Sequence, residues 1–132
     1  MKSKSEILKN SKNIAVVGMS DKPFRVSREI AVFLKDHGYN VAGVNPLARS
    51  EEVDGIRIYK TLKDVPFEID IVNVFRKSET IGDIIPDVLE VKPGTLWLQL
   101  GIRNDEAVKP AEDAGMDVVQ DACIMVEYTH CN

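Results

Sequence analysis

The sequence predicts an α/β fold of the Rossmann-like type: a doubly wound parallel sheet of about five strands between two layers of helices. Two observations lead to this prediction. Short apolar runs rich in β-branched residues recur along the chain, as expected of strands buried on both faces. Between them lie segments whose apolar residues recur at helical spacing. Alternation of this kind produces parallel sheets with right-handed crossovers, and therefore a three-layer αβα arrangement.

Size and composition are those of one globular domain. The chain has 132 residues, of which 44% are hydrophobic and 29% are charged, so we expect a single domain over residues 1–132. The net charge of -4 argues against a nucleic-acid binder, and no apolar run is long enough for a membrane span. The two cysteines form neither a disulfide framework nor a zinc motif, which predicts a reducing, cytoplasmic setting.

The first part of the chain predicts helix, strand, helix and strand. Residues 1–12 form an N-terminal helical segment that packs beside the sheet. The apolar run at residues 14–18 is too short for a helix and predicts the first buried strand. Apolar residues then recur at helical spacing over residues 26–34, and Gly38 supplies the helix stop. The second strand covers residues 40–44.

Three further strands follow a turn. Asp54-Gly55 is a turn signal. Residues 56–59 form a short segment in which apolar and polar residues alternate, and we do not count it among the main strands. The remaining predicted strands are residues 69–75, 95–100 and 116–120.

Two helices separate these strands. Ser78 and Asn104 can cap them, although Pro86 and Pro110 fall inside the helical patterns and predict kinks or later starts. Residues 124–132 are assigned to a C-terminal tail.

Loops that follow the strands are the expected binding edge, because ligands of such sheets bind beyond the carboxyl ends of the strands. The loop after the first strand joins it to a helix, and so presents backbone N–H groups and a positive helix end to a phosphate. Lys22, Arg25 and Arg28 reinforce that charge; the alternative is that they are solvated surface charges. The dinucleotide-binding motif of NAD proteins, G-x-G-x-x-G, is missing, since Gly18 is not followed by a second and third glycine. Asn45 also stands where such proteins usually carry the carboxylate that binds the ribose.

Six segments in order resemble the small single-domain coenzyme A (CoA)-binding proteins, which are related to the N-terminal domain of the succinyl-CoA synthetase α subunit. The segments are IAVVGMSDKP, HGYNVAGVNP, VDG, DIVNVFRKSE, LWLQLGIRNDEA and AGMDVVQDACI. The resemblance covers residues 14–123 and implies CoA or an acyl-CoA as the ligand.

The resemblance also implies a site built from residues that follow the strands. These are Gly18, Met19, Ser20, Lys22, Pro23, Arg25, Asn45, Pro46, Phe75, Arg76, Gln99, Leu100 and Gly101. The first loop would wrap the phosphates and ribose, the second would line the nucleotide, and the last would approach the pantetheine arm or diphosphate. Family members often carry a lysine where this chain has Leu47, so Arg49 is the cation that could replace it.

No arrangement of residues predicts catalysis or a metal site. The synthetase uses a phosphorylated histidine in a second domain that has no counterpart here. Cys123 follows the last predicted strand and could form a mixed disulfide with CoA, although a small buried hydrophobe is the simpler interpretation. Phe24 is a better candidate for stacking on adenine than Trp97, which lies mid-strand and is expected in the core.

Three functions remain open at this stage. The leading one is a non-catalytic module that binds CoA or an acyl-CoA as a carrier, sensor or regulator. The alternatives are an NAD(H)-binding redox-sensing module and a ligase subunit that requires a separate catalytic chain. A homo-oligomer is compatible with the sequence.

Overall fold

A single seven-stranded sheet forms the centre of the computed structural model, which describes residues 1–131. The strands are β1 (Asn13–Val17), β2 (Asn40–Val44), β3 (Glu52–Val53), β4 (Ile56–Tyr59), β5 (Ile71–Val74), β6 (Thr95–Leu98) and β7 (Asp117–Val119). Their order across the sheet is β3-β4-β2-β1-β5-β6-β7. The Rossmann-like prediction is confirmed, but the expected count of about five strands is too low.

The two additional strands form a hairpin at one edge. β3 and β4 are antiparallel, with Val53 opposite Ile56. The turn between them is Asp54-Gly55, and both residues have positive φ, 53° and 79°, as a two-residue hairpin turn of type I′ requires. β4 then pairs in parallel with β2. Residues 56–59 are therefore part of the main sheet, although the sequence analysis does not count them among its strands.

Strand β1 lies at the point where the direction of winding reverses. It pairs in parallel with β2 on one side and with β5 on the other. The chain moves outward from β1 through β2 to β4, and then crosses back to begin β5. The loops after β1, β2 and β5 consequently meet at one edge, which is where ligands of this architecture bind.

Helices cover both faces of the sheet, in three layers. They are α1 (Lys4–Asn10), α2 (Val26–Asp36), α3 (Ile85–Val91), α4 (Lys109–Asp113) and α5 (Ile124–Thr129). Apolar residues of α1, α2 and α5 pack on one face in a cluster around Ile14 and Val16. Those of α3 and α4 pack on the other face, around Ala15 and Val72. Within residues 1–131, no helix is long and apolar enough to cross a membrane.

The structure corrects one expectation about the helices and decides between two others. Ser78 does not cap an α-helix, because residues Ser78–Asp83 form a 3₁₀ helix and α3 follows it. At both prolines the later helix start is confirmed and the kink is not. Pro86 and Pro110 lie in the first turns of α3 and α4, where the missing N–H costs no hydrogen bond.

Asn104 accepts a hydrogen bond from the Ala107 amide, yet α4 begins only at Lys109.

The predicted C-terminal tail is wrong over most of its length. Residues Ile124–Thr129 form α5, and Ile124 is completely buried. The short amphipathic segment can form a helix because α1 and α2 supply an apolar surface for it to pack on. Asn132 lies outside the described residues.

Candidate functional site

A cleft of about 640 Å³ opens at the carboxyl ends of β1, β2 and β5. Three loops supply its walls: the first-loop residues 18–27 after β1, the second-loop residues 45–50 after β2, and Phe75 after β5. The residues that line it are Gly18, Ser20, Asp21, Lys22, Phe24, Arg25, Val26, Ser27, Asn45, Leu47 and Phe75. The chain therefore brings three separate segments to the edge predicted to bind the ligand.

Close backbone contacts fix the start of the first loop. Gly18 has a φ of +88°, and a Cβ at this position would collide with the backbone oxygen of Phe75. Its N–H donates to the Val44 carbonyl over 2.7 Å. Glycine is required here for two reasons: the backbone at position 18 has a positive φ, and the adjacent backbone of Phe75 leaves no room for a side chain.

The second loop is tied to the first by two side chains. Asn45 donates from its amide nitrogen to the Met19 carbonyl over 2.9 Å, and its side-chain oxygen accepts from the Leu47 N–H over 2.9 Å. The Asp21 carboxylate accepts from the N–H groups of Arg49 and Ser50, over 2.7 and 3.0 Å. These amide donors hold the pKa of the Asp21 carboxyl below its usual value.

The amino end of α2 faces the cleft. Arg25 precedes the helix but makes no side-chain cap, and Val26 and Ser27 of the first turn line the cleft wall. The first amides of a helix have no partner within the helix, so they are available to an anion that enters here. The Ser27 hydroxyl accepts from the Ser20 N–H over 3.0 Å, which holds the first loop against the helix.

Of the three cations that the sequence places near the expected phosphate, two remain available to a ligand. Lys22 and Arg25 are exposed at the cleft, and neither forms an ion pair within residues 1–131. Arg28 instead donates to the Asp54 carboxylate over 2.9 Å and to the Asp21 carbonyl over 2.8 Å. Arg28 therefore joins the first loop to the β3–β4 hairpin, and is not a solvated charge.

Six predicted site residues line this cleft: Gly18, Ser20, Lys22, Arg25, Asn45 and Phe75. Pro23 and Pro46 are exposed in the same two loops. Met19 has a completely buried side chain, which packs where a Cβ on Gly43 would lie. Its side chain therefore cannot face a ligand. Arg76 is half-buried beside Phe75 but is not among the lining residues.

The predicted residues after β6 lie farther along the edge. Gln99 is buried, and its side-chain oxygen accepts from the Asn73 amide and from the Ile124 N–H. Leu100 is exposed, while the Gly101 N–H donates to the Asp121 carboxylate over 2.7 Å. Gln99 thus connects β5, β6 and α5, and only the surface beyond it is open to a ligand.

The aromatic residues take the positions expected from the sequence. Trp97 is completely buried, and its indole N–H donates to the Ala122 carbonyl over 2.9 Å. Phe24 is 91% exposed at the cleft mouth and has a φ of +65°. A positive φ is unfavourable for an aromatic residue, so the first loop holds Phe24 in a strained, solvent-facing position.

Neither cysteine lines the cleft. Cys123 is half-buried at the start of α5, next to β7 and two strands away from β5. Cys131 lies at the opposite, amino edge of the sheet, in a concavity of about 390 Å³ that it shares with His37, Tyr39 and Tyr128. Burial raises the pKa of Tyr39 to about 12, and its hydroxyl donates to the Leu8 carbonyl.

Sequence reasoning missed four lining residues: Asp21, Val26, Ser27 and Leu47. Ser27 and Val26 could have been found from the start of the helical pattern, because first-turn residues of α2 must face the loop edge. For Asp21, no sequence signal indicates its hydrogen bonds to the second loop. Those bonds depend on how β1 and β2 pair, which is a property of the folded sheet.

Comparison with known proteins identifies a family and several relatives. Residues 12–129 match the family model described as CoA binding domain. The Bacillus subtilis protein YneT is 40% identical over 93% of this chain and 90% of its own length. The α subunit of Pyrococcus furiosus acetate–CoA ligase (ADP-forming) II is 29% identical over 93% of this chain but only 29% of its own length. The solved structure of Thermus thermophilus ID.343 superimposes with a TM-score of 0.92 at 37% identity, covering 98% of both chains.

Proposed function

Because this chain belongs to the CoA-binding domain family, we propose that it binds coenzyme A or an acyl-CoA in the cleft at the ends of β1, β2 and β5. The observation that carries the proposal is the uncapped first turn of α2, which faces the same cleft as Lys22 and Arg25. A diphosphate can accept hydrogen bonds from the helix amides and from both side chains at once. This end of the cleft would hold the diphosphate of CoA.

The three loops suggest how the rest of the ligand lies. The adenosine end would extend towards Asn45 and Pro46, with Phe24 at the cleft mouth positioned to stack on the adenine. The pantetheine arm would pass Phe75 and Arg76. From there it would run towards the surface at Leu100 and Gly101, and Cys123 stands farther along the same edge, beside β7.

The chain's own role is then binding without bond-making, as a carrier, sensor or regulator. The one carboxylate that lines the cleft, that of Asp21, already accepts two backbone hydrogen bonds. Its lowered pKa makes it a poor general base. Both histidines lie away from this cleft, and His37 is close to the Phe33 carbonyl at the opposite edge.

A second candidate function is that of a ligase subunit. Its support is the similarity to the α subunit of an acetate–CoA ligase, of which this chain spans only 29%. In that case the chain would supply the CoA site, and a separate chain would supply the catalytic groups. A partner that co-purifies in a fixed ratio and confers ligase activity would favour this function.

An NAD(H)-binding module has weaker support. The first loop lacks the second and third glycines of the dinucleotide motif. Asn45 stands where dinucleotide-binding proteins carry the carboxylate that binds the ribose. Its side-chain nitrogen and oxygen both form hydrogen bonds within the two loops.

Thermal unfolding with a ligand panel tests the proposal. The protein, stripped of co-purified ligand, is compared with CoA, acetyl-CoA, NAD and NADP at equal concentration. A ligand at a hundred times its dissociation constant stabilises by about 2.7 kcal/mol, which raises the melting temperature of a domain of this size by several degrees. A rise with CoA or acetyl-CoA and none with NAD supports the proposal. A rise with NAD alone replaces it with the dinucleotide function.

A further inference from the structure

A second, smaller pocket of about 300 Å³ lies beside the cleft, at the carboxyl end of β4. Three cations line it: Arg49 of the second loop, Arg57 of β4, and Lys60, which directly follows β4. Asn45 lines both concavities, so the two are neighbours across the second loop. The pocket therefore adds three cations next to the expected adenosine end of the ligand.

Within residues 1–131, none of these three cations forms an ion pair. The ion pairs of the described residues, within 4.0 Å, involve Arg28, Lys63, Arg103 and Lys109 as cations. Glu51 and Asp64 also line the pocket, yet neither lies within that distance of the three cations. Asp64 instead accepts a hydrogen bond from the Thr61 hydroxyl over 2.9 Å.

Contacts within the protein hold the backbone of the pocket and one of its cations. The Asp21 carboxylate holds the Arg49 N–H, and the Asn45 N–H donates to the Tyr59 carbonyl over 2.8 Å. The Arg57 guanidinium lies 5.8 Å from the centre of the Tyr59 ring, which restrains its position through a cation–π contact. The backbone of the pocket and the Arg57 side chain are therefore held within the protein itself, which limits the conformational entropy lost when an anion binds.

We propose that this pocket binds the phosphomonoester on the adenosine ribose of CoA, with Arg49, Arg57 and Lys60 as its cationic ligands. The inference rests on the proposed function, because the first cleft must hold the diphosphate for the ribose to lie next to Asn45. A phosphomonoester carries up to two negative charges and accepts several hydrogen bonds, which suits two guanidinium groups and an ammonium group.

Calorimetric titration with CoA and with dephospho-CoA, which lacks this phosphate, tests the assignment. The variants are Arg57→Gln/Lys60→Gln and, as a control, Lys63→Gln, an exposed lysine three residues away that does not line the pocket. All replaced side chains are exposed, so circular dichroism should show unchanged folding. We expect the double variant to bind CoA about tenfold or more weakly, equivalent to about 1.4 kcal/mol, while its affinity for dephospho-CoA and that of the control for both ligands stay unchanged.

Three other results would overturn the assignment, and they differ in what they say about the proposed function. If the wild type binds CoA and dephospho-CoA equally, or the double variant loses both alike, CoA binding stands and the phosphomonoester lies elsewhere. If the wild type binds neither ligand, the proposed function itself fails, and the pocket assignment falls with it.

Discussion

The Asp21 carboxylate, on the loop after β1, accepts a 2.7 Å hydrogen bond from the backbone N–H of Arg49, on the loop after β2. Asp21 lines the first cleft, which is the cleft at the ends of β1, β2 and β5. Arg49 lines the β4 pocket, which is the smaller pocket at the carboxyl end of β4. The contact between them therefore sets the separation of the two concavities. One side chain therefore couples the geometry of both proposed phosphate sites.

Replacing Asp21 by asparagine should weaken CoA binding without unfolding the protein. The neutral amide is a poorer acceptor for the Arg49 and Ser50 N–H groups, so the second loop becomes less well ordered. Hydrogen bonds to charged groups contribute more than neutral ones, and we expect a loss of affinity of about three- to tenfold. Asp83→Asn, at an exposed site on the other helix layer, should leave affinity unchanged; equal losses in both variants would show a general charge effect.

The same variant should alter the pH dependence of stability. Because the pKa of Asp21 is lowered in the folded protein from its ordinary value of 3.8, its contribution is fully present above that value. It is lost as the pH falls through the folded pKa. Melting temperatures of the wild type and Asp21→Asn should therefore differ near neutral pH and converge in strong acid. Curves that diverge as the pH falls would contradict the assigned direction.

Glycine at position 18 should be required for both backbone conformation and space. Gly18→Ala adds a Cβ at a φ of +88° that collides with the Phe75 backbone. Gly101→Ala is the control, since Gly101 has a φ of +83° but no atom within 4 Å of an added Cβ. We expect the control to lose about 1–2 kcal/mol. Denaturant unfolding should show that Gly18→Ala loses at least about 1 kcal/mol more; equal losses would remove the steric argument.

Phe24 should contribute to binding at the expense of stability. Phe24→Gly relieves a positive φ and removes a side chain that is 91% exposed. The free energy of unfolding should therefore increase by roughly 1 kcal/mol, and the melting temperature should rise with it. CoA affinity should fall, because an aromatic surface for stacking is lost. Lys92→Gly, at a helix end with a φ of +51°, should stabilise similarly and leave affinity intact. Unchanged affinity of Phe24→Gly would exclude stacking by Phe24.

The first-loop cations should act on the diphosphate and not on the ribose phosphate. Lys22→Gln/Arg25→Gln should weaken CoA and dephospho-CoA by the same factor, about tenfold or more, because both ligands carry the diphosphate. Titrations at two salt concentrations should also show a weaker salt dependence for the variant. A selective loss of CoA affinity would place the ribose phosphate at the first loop.

Cys123 should be the cysteine that reacts with oxidised CoA, if the pantetheine arm follows the edge of the sheet. The Cys123 thiol would attack the CoA disulfide, forming a protein–CoA disulfide and releasing one CoA thiol with the proton. Intact mass and peptide mapping should locate the adduct on Cys123, with Cys131 at the opposite edge as an internal reference. An adduct on Cys131 alone would contradict this path.

The fold was largely predictable because its determinants are local. The buried runs of β1, β2, β5 and β6 have no polar face, so they specify central parallel strands. α5 was missed because its helical state depends on the surface provided by α1 and α2, and β3 because a two-residue strand carries no pattern. The same limit applies to the site. The loops could be predicted from the strand ends, but the burial of Gln99 and the ion pair of Arg28 with Asp54 depend on the folded arrangement.

A titration of ¹⁵N-labelled protein with CoA, followed by the backbone amide spectrum, tests the central claim most directly. We predict large shifts for residues 18–28 and 45–50, which surround the cleft and the β4 pocket. Amides at the amino edge, such as those of His37, Tyr39 and Tyr128, should not move. Shifts confined to the amino edge, or a spectrum that CoA leaves unchanged, would contradict the proposed site.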